Sequence, residues 1–129
     1  GGKAELELSG PLSEGAVTLD LAVSSTRLDL GFRCEGAPPG LVGPELRFAF
    51  GGEPTLRVDG GTWLPITEPV AATGHKFRLA DGERQVVMTS LIPCSVFLRP
   101  GVDGPGVVAW AHWTTSGSDT HTLTLDLAP

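Results

Sequence analysis

At 129 residues with 40% hydrophobic content, the chain has the size of one domain, spanning 1–129, that buries roughly two-thirds of its unfolded surface. A formal charge of -6, a pI near 4.9 and nine scattered Lys and Arg exclude nucleic acid as the main partner, because affinity for phosphate backbones needs clustered cations. No apolar run approaches the ~20 residues that cross a bilayer, so no membrane span is expected.

The chain opens on Gly1-Gly2 and its only methionine is Met88, which suits a start made by cleavage, either natural processing or removal of a tag. Period-two alternation begins at once in Ala4-Glu5-Leu6-Glu7-Leu8 and predicts a strand. Gly10-Pro11 signals a turn, and strands are expected over 17–23 and, after Ser24-Ser25, over 28–34. The run Gly36-Ala37-Pro38-Pro39-Gly40 reads as a loop. Strands then follow over 46–50 and 55–58, the second ended by the turn Asp59-Gly60-Gly61. Residues 63–70 carry Pro65 and Pro69, which remove backbone donors and suit an edge or a crossing loop. A short strand is predicted over 75–79 and a longer, more buried one over 85–92, joined by a hairpin turn at 80–83, with Pro93 marking a bulge or a change of sheet. The last strands are 94–98, 107–113 and 120–127.

No stretch repeats apolar residues at helical spacing over ten or more positions, and 18 glycines and 11 prolines oppose long helices. The expected fold is therefore all-β: a two-sheet antiparallel β-sandwich, immunoglobulin-like or jelly-roll-like, with a partly open barrel as the alternative.

The two cysteines, Cys34 and Cys94, each lie in an apolar strand segment. An even count in a loop-rich domain suits a disulfide, which would stabilise by about 4 kcal/mol in the chain-entropy picture. The alternative is two buried thiols acting as small hydrophobes. No catalytic motif emerges. Ser118, His112 and Asp119 lack a nucleophile-elbow context, and no pair of acidic residues sits in an apolar setting. His75, His112, His121, Met88 and the cysteines lack the order of a copper loop, so no metal and no cofactor are expected. His112 and His121 are placed to face each other across a hairpin.

Three tryptophans stand beside five phenylalanines and no tyrosine. Strand alternation sends Trp110 and Trp113 to opposite faces, one into the core and one outside. An exposed indole stacks on sugar rings, which makes Trp63 and Trp113 the candidates for carbohydrate stacking. Near the ends, residues 4–8 and 121–127 are amphipathic strands. The first, with Ala4, Leu6 and Leu8 on its apolar face, is suited to exchange between copies, since a donated strand combines backbone hydrogen bonds with side chains in pockets.

The segments Leu30-Gly31-Phe32-Arg33-Cys34-Glu35-Gly36 and Ser118-Asp119-Thr120-His121-Thr122-Leu123-Thr124-Leu125-Asp126-Leu127 resemble the cysteine-bearing and closing strands of spore coat U and archaic chaperone-usher pilin domains. Other immunoglobulin-like surface domains share the second pattern. The resemblance covers these two segments, and no binding residue is carried over from it. It agrees with the function expected from the residues: a non-enzymatic structural or adhesive module of an extracellular assembly. Such a module would be a pilin-like fibre subunit, a surface-protein domain in cell adhesion or a virion decoration domain, located at the cell surface or on the virion. Its partners would be further copies or other surface or virion proteins. A carbohydrate-binding module is the alternative.

Overall fold

A strand that alternates apolar and polar residues buries one face and wets the other, and such strands need partners before they are stable. The computed structural model describes residues 4–9, 16–23, 26–50, 52–82, 84–101 and 106–128, the first two segments by their backbone pairing. These residues form eight strands and no helix: β1 (Ala4–Ser9), β2 (Ala16–Val23), β3 (Arg27–Phe48), β4 (Thr55–Val58), β5 (Leu64–Pro65), β6 (Val70–Ala80), β7 (Gln85–Pro100) and β8 (Val107–Ala128). All belong to one antiparallel sheet of order β1-β3-β8-β7-β6-β4-β5, with β2 also on β3. The all-β class expected from the alternation is the class observed, while two separate sheets are not seen.

The long strands organise the sheet. One edge of β3 carries β2 along its first half, from Ala16 opposite Glu35 to Val23 opposite Leu28, and β1 along its second, from Ala4 opposite Phe48 to Ser9 opposite Gly43. The other edge pairs with β8 from Arg27 opposite Asp126 to Phe48 opposite Val107. β3 and β8 have 22 residues each. Extended, that length spans roughly 70 Å, against a radius of gyration of about 14 Å for a compact chain of this size, so both strands must turn back within their length.

The turning points line up across the sheet. On β3 the register to β8 shifts between Cys34 and Ala37 and again between Ala37 and Gly40. Gly36 and Gly117 take positive φ there, 62° and 88°, a conformation that costs glycine little and other residues more. On β7 the pairing to β8 breaks between Ser90 and Ser95, and on β6 the register shifts between Gly74 and Lys76. The segments read from composition as the loop 36–40 and the break before residue 120 are thus inside β3 and β8, and the break at Pro93 is a corner within β7.

The β6 corner is held by Asp59, which ends β4 with φ 55°. Its carboxylate accepts the backbone N–H groups of His75 (3.0 Å) and Lys76 (2.8 Å), and its own N–H donates to the Lys76 carbonyl (2.8 Å). The two bonds from Lys76 and His75 hold the Asp59 carboxyl below the usual carboxylate range.

Parity is kept through the corners. Leu30, Phe32, Cys34, Val42, Leu46 and Phe48 on β3 are buried in one cluster with Val86, Met88, Cys94, Val96 and Leu98 on β7 and with Val107, Ala109, Ala111, Trp113, Leu123 and Leu125 on β8. With no helix among the described residues to cover that face, the sheet covers it with itself. Trp113 makes the closure visible: its ring stacks on His121, beyond the corner of the same strand, at 5.1 Å and 8°, and meets Phe32 at 5.7 Å.

Candidate functional site

The buried polar groups come first, because they include residues expected to bind or to bond. Cys34 and Cys94 are both free and buried, so the expected disulfide is corrected. The reason is the register. Cys34 pairs opposite Asp119 on one side of the β8 corner, whereas Cys94 lies in the break of β7, beside Ser95, which pairs with His112 on the other side of that corner. Burial pushes the Cys94 thiol up to about 11, with nearby Asp59 adding to the rise and a hydrogen bond with Ser90 opposing it. The thiol is therefore protonated at neutral pH and a poor nucleophile.

Trp113 is also corrected as a stacking residue. It is 3% exposed, and its indole N–H donates to the Ser90 hydroxyl at 3.0 Å, so no sugar reaches it. Ser90 in turn donates to the Ile92 carbonyl at 2.6 Å. His121 is buried against Trp113, with Nε2 3.4 Å from Asp119, whose other oxygen accepts from Thr115 at 2.6 Å. His112 lies on the opposite face of β8, so the two histidines do not meet. Ser118 accepts the Gly36 N–H at 3.4 Å and Asp119 accepts from Thr115 on the other face of β8 from His112, so Ser118, His112 and Asp119 form no triad. No three His, Cys, Asp or Glu side chains among the described residues are placed to hold a metal.

Trp63, between β4 and β5, is 40% exposed beside Leu64 at 48%. Ala4, Leu6 and Leu8 pair by backbone register with Phe48, Leu46 and Pro44 of the same chain, and those three β3 residues are buried. β1 ends the sheet, as an edge strand available for exchange must.

Two surfaces emerge that sequence reasoning did not single out. The first is the β7 corner, where Leu91 is 90% exposed and Ile92 47%, directly after the buried Ser90. The second is a groove of about 680 Å³ on the outer face of the sheet. Register builds it from two adjacent rows: Ala71 on β6, Phe97 on β7 and Trp110 on β8, then Thr73, Ser95 and His112 on the same three strands. Small side chains beside large ones leave the depression. Trp110 and His112, two apart on one strand face, bring their rings to 4.1 Å and 30°, and Phe97 is 41% exposed. The Thr73 and Ser95 hydroxyls bond each other at 3.1 Å, and the Trp110 indole nitrogen is buried without a partner among the described residues. Beyond Trp110, Glu45 takes contacts from Arg47 (3.8 Å) and Arg99 (3.9 Å), so charge begins at the groove's end and not inside it.

The alternation of Cys94, Val96 and Leu98 as inward residues would have put Phe97 outside, and the outward Trp110 follows from Trp113 being core. No protein-family model matches this chain, and a search of curated proteins returns no match.

Proposed function

We propose that the chain is a non-enzymatic structural or adhesive module of an extracellular assembly, on a cell surface or a virion, that associates with further copies of itself. The observation that carries this reading is the β7 corner. Leu91 and Ile92 stand out of the sheet while the Ser90 hydroxyl pins the Ile92 carbonyl at 2.6 Å, so an apolar tip is presented in a fixed shape. Burying a leucine of this kind on a partner is worth about 2 kcal/mol, and a fixed tip loses little entropy in docking.

Two further features support it. Cys94 and Ser90 are spent on core packing and internal bonds, and the buried His121 ring is stacked on Trp113. β1 offers a second route of association, because a six-residue edge strand paired to the end of β3 can pair equally with the β3 of a neighbour.

Sedimentation velocity over a concentration series, with electron microscopy for filaments, tests the proposal. Self-association that is lost on replacing Leu91 and Ile92 by serine, or on deleting residues 1–9 with the fold kept, is the expected result. A parent that stays monomeric at millimolar concentration refutes it.

A further inference from the structure

We propose that the outer-face groove is a binding site for a neutral saccharide, with Trp110 and Phe97 stacking on a pyranose ring and Thr73, Ser95 and His112 reaching its hydroxyls. This goes beyond self-association and does not depend on it, since it uses other side chains and has its own measurement.

The chemistry of the lining selects the ligand. No Asp, Glu, Lys or Arg lines the groove, which disfavours phosphate, carboxylate or ammonium groups as what it holds. The aromatic wall is made of Trp110 and His112 with rings 4.1 Å apart, and Phe97 is placed opposite Trp110 in the pairing of β7 with β8. Aromatic faces of this kind match the apolar C–H face of a sugar ring. The polar groups are hydroxyls and one imidazole. The Thr73 and Ser95 hydroxyls, 3.1 Å apart, bond each other with one proton and keep a second donor and free lone pairs for a ligand. His112 Nδ1 is 3.3 Å from the Trp110 carbonyl, so a neutral ring donating there leaves Nε2 to accept. Alternating donors and acceptors beside an aromatic face are what a polyhydroxylated ring requires. The volume of about 680 Å³ lies within the range of small-ligand sites.

An extended peptide is the competing occupant, and the ladder argues against it inside the groove. The strands beneath, β7 and β8, are each paired on both sides at this level, from Ser95 opposite Thr73 and His112 to Trp110 opposite Phe97 and Glu45. Their backbone groups are committed, so a peptide lying there gains no main-chain bonds.

The test is calorimetric and fluorescence titration of the intact chain with cellohexaose, xylohexaose, mannohexaose and chitohexaose. Binding of at least one is expected, with about tenfold weakening from Trp110→Ala and from Phe97→Ala and a smaller loss from Thr73→Val. Trp63→Ala should leave affinity unchanged. Circular dichroism checks that each variant is folded, and Trp110→Phe supplies a milder change if the alanine variant does not fold. Failure of all four hexasaccharides to bind overturns the proposal, as does a loss from Trp110→Ala no greater than that from Trp63→Ala. So does a displayed decapeptide that binds and protects the amides of residues 70–74 from hydrogen exchange while no sugar is retained. A monomer that binds sugar would refute self-association alone, and an oligomer that ignores all four sugars would refute the groove alone.

Discussion

Replacing Trp113 by alanine should be among the most damaging single changes in the protein, although sequence reasoning placed this side chain among surface candidates. Its ring is 3% exposed, stacked on His121 and in contact with Phe32. A buried indole removes about 150–250 Å² from water, worth about 4–6 kcal/mol at ~25 cal/mol per Å². Allowing for the compactness of the unfolded chain trims this to about 3–4 kcal/mol, and loss of the 3.0 Å bond to Ser90 adds about 1 kcal/mol. The expected total is about 4 kcal/mol, or about 15 °C in Tm for a chain of this size. Urea unfolding followed by far-UV circular dichroism measures it. Trp113→Phe keeps a ring and loses the Ser90 bond, so it should cost about 1–2 kcal/mol, and Trp63→Ala, whose ring is 40% exposed and outside the core cluster, should cost about 1–2 kcal/mol. A cost below ~1 kcal/mol for Trp113→Ala, or one no larger than that of Trp63→Ala, would refute the claim that this indole closes the folded sheet.

Gly43→Ala should destabilise by at least ~2 kcal/mol in the same assay, because an added Cβ would collide with the Ala111 carbonyl oxygen, a backbone atom that has nowhere to go. Asp59 has a lowered carboxyl pKa, so the unfolded chain binds more protons than the folded one just below pH ~4. Its contribution is present above that pH and lost as pH falls through the folded value, and Asp59→Asn should flatten the acid limb of a stability–pH curve. Cys94 has the opposite sign. With the folded thiol at about 11 and the ordinary value at 9.0, the folded chain holds its proton longer, so stability should fall between pH 9 and 11, and Cys94→Ala should remove that slope. Alkylation under denaturing, non-reducing conditions followed by mass spectrometry should add two labels, and a chain that takes none carries the disulfide after all.

Local pattern carried the strand assignments at residues 4–8, 17–23 and 28–34, because period two is a property of neighbours along the chain. It also put Trp110 and Trp113 on opposite faces and marked Pro93 as a bulge or a change of sheet, where the structure has a corner within β7. It did not reveal that 27–48 and 107–128 are single strands. Gly36, Pro38, Pro39 and Gly40 have loop composition, and only the partner residues Thr115, Gly117 and Asp119, distant in sequence, keep that stretch in the ladder. The thiols were misjudged for the same reason: Cys34 and Cys94 are both strand residues, yet nothing local says that they lie at levels on either side of the β8 corner. The groove depends on register too, since Ala71, Ser95 and Trp110 become neighbours only when three strands align.

The position of β8 has a consequence for how the molecule comes into being. It follows β3 and β7 in the sequence but lies between them in space, with Arg27 paired to Asp126. Until β8 is inserted, β1, β2 and β3 form one fragment and β4 to β7 another, with no strand pairing between them among the described residues. Such a chain has a high contact order and should fold slowly, in one late step, because closing so long a loop costs entropy before any bond rewards it. Synthesis as far as β7 yields two sticky half-sheets that wait for their centre, and a ribosome stalled before β8 would hold a chain unable to join them.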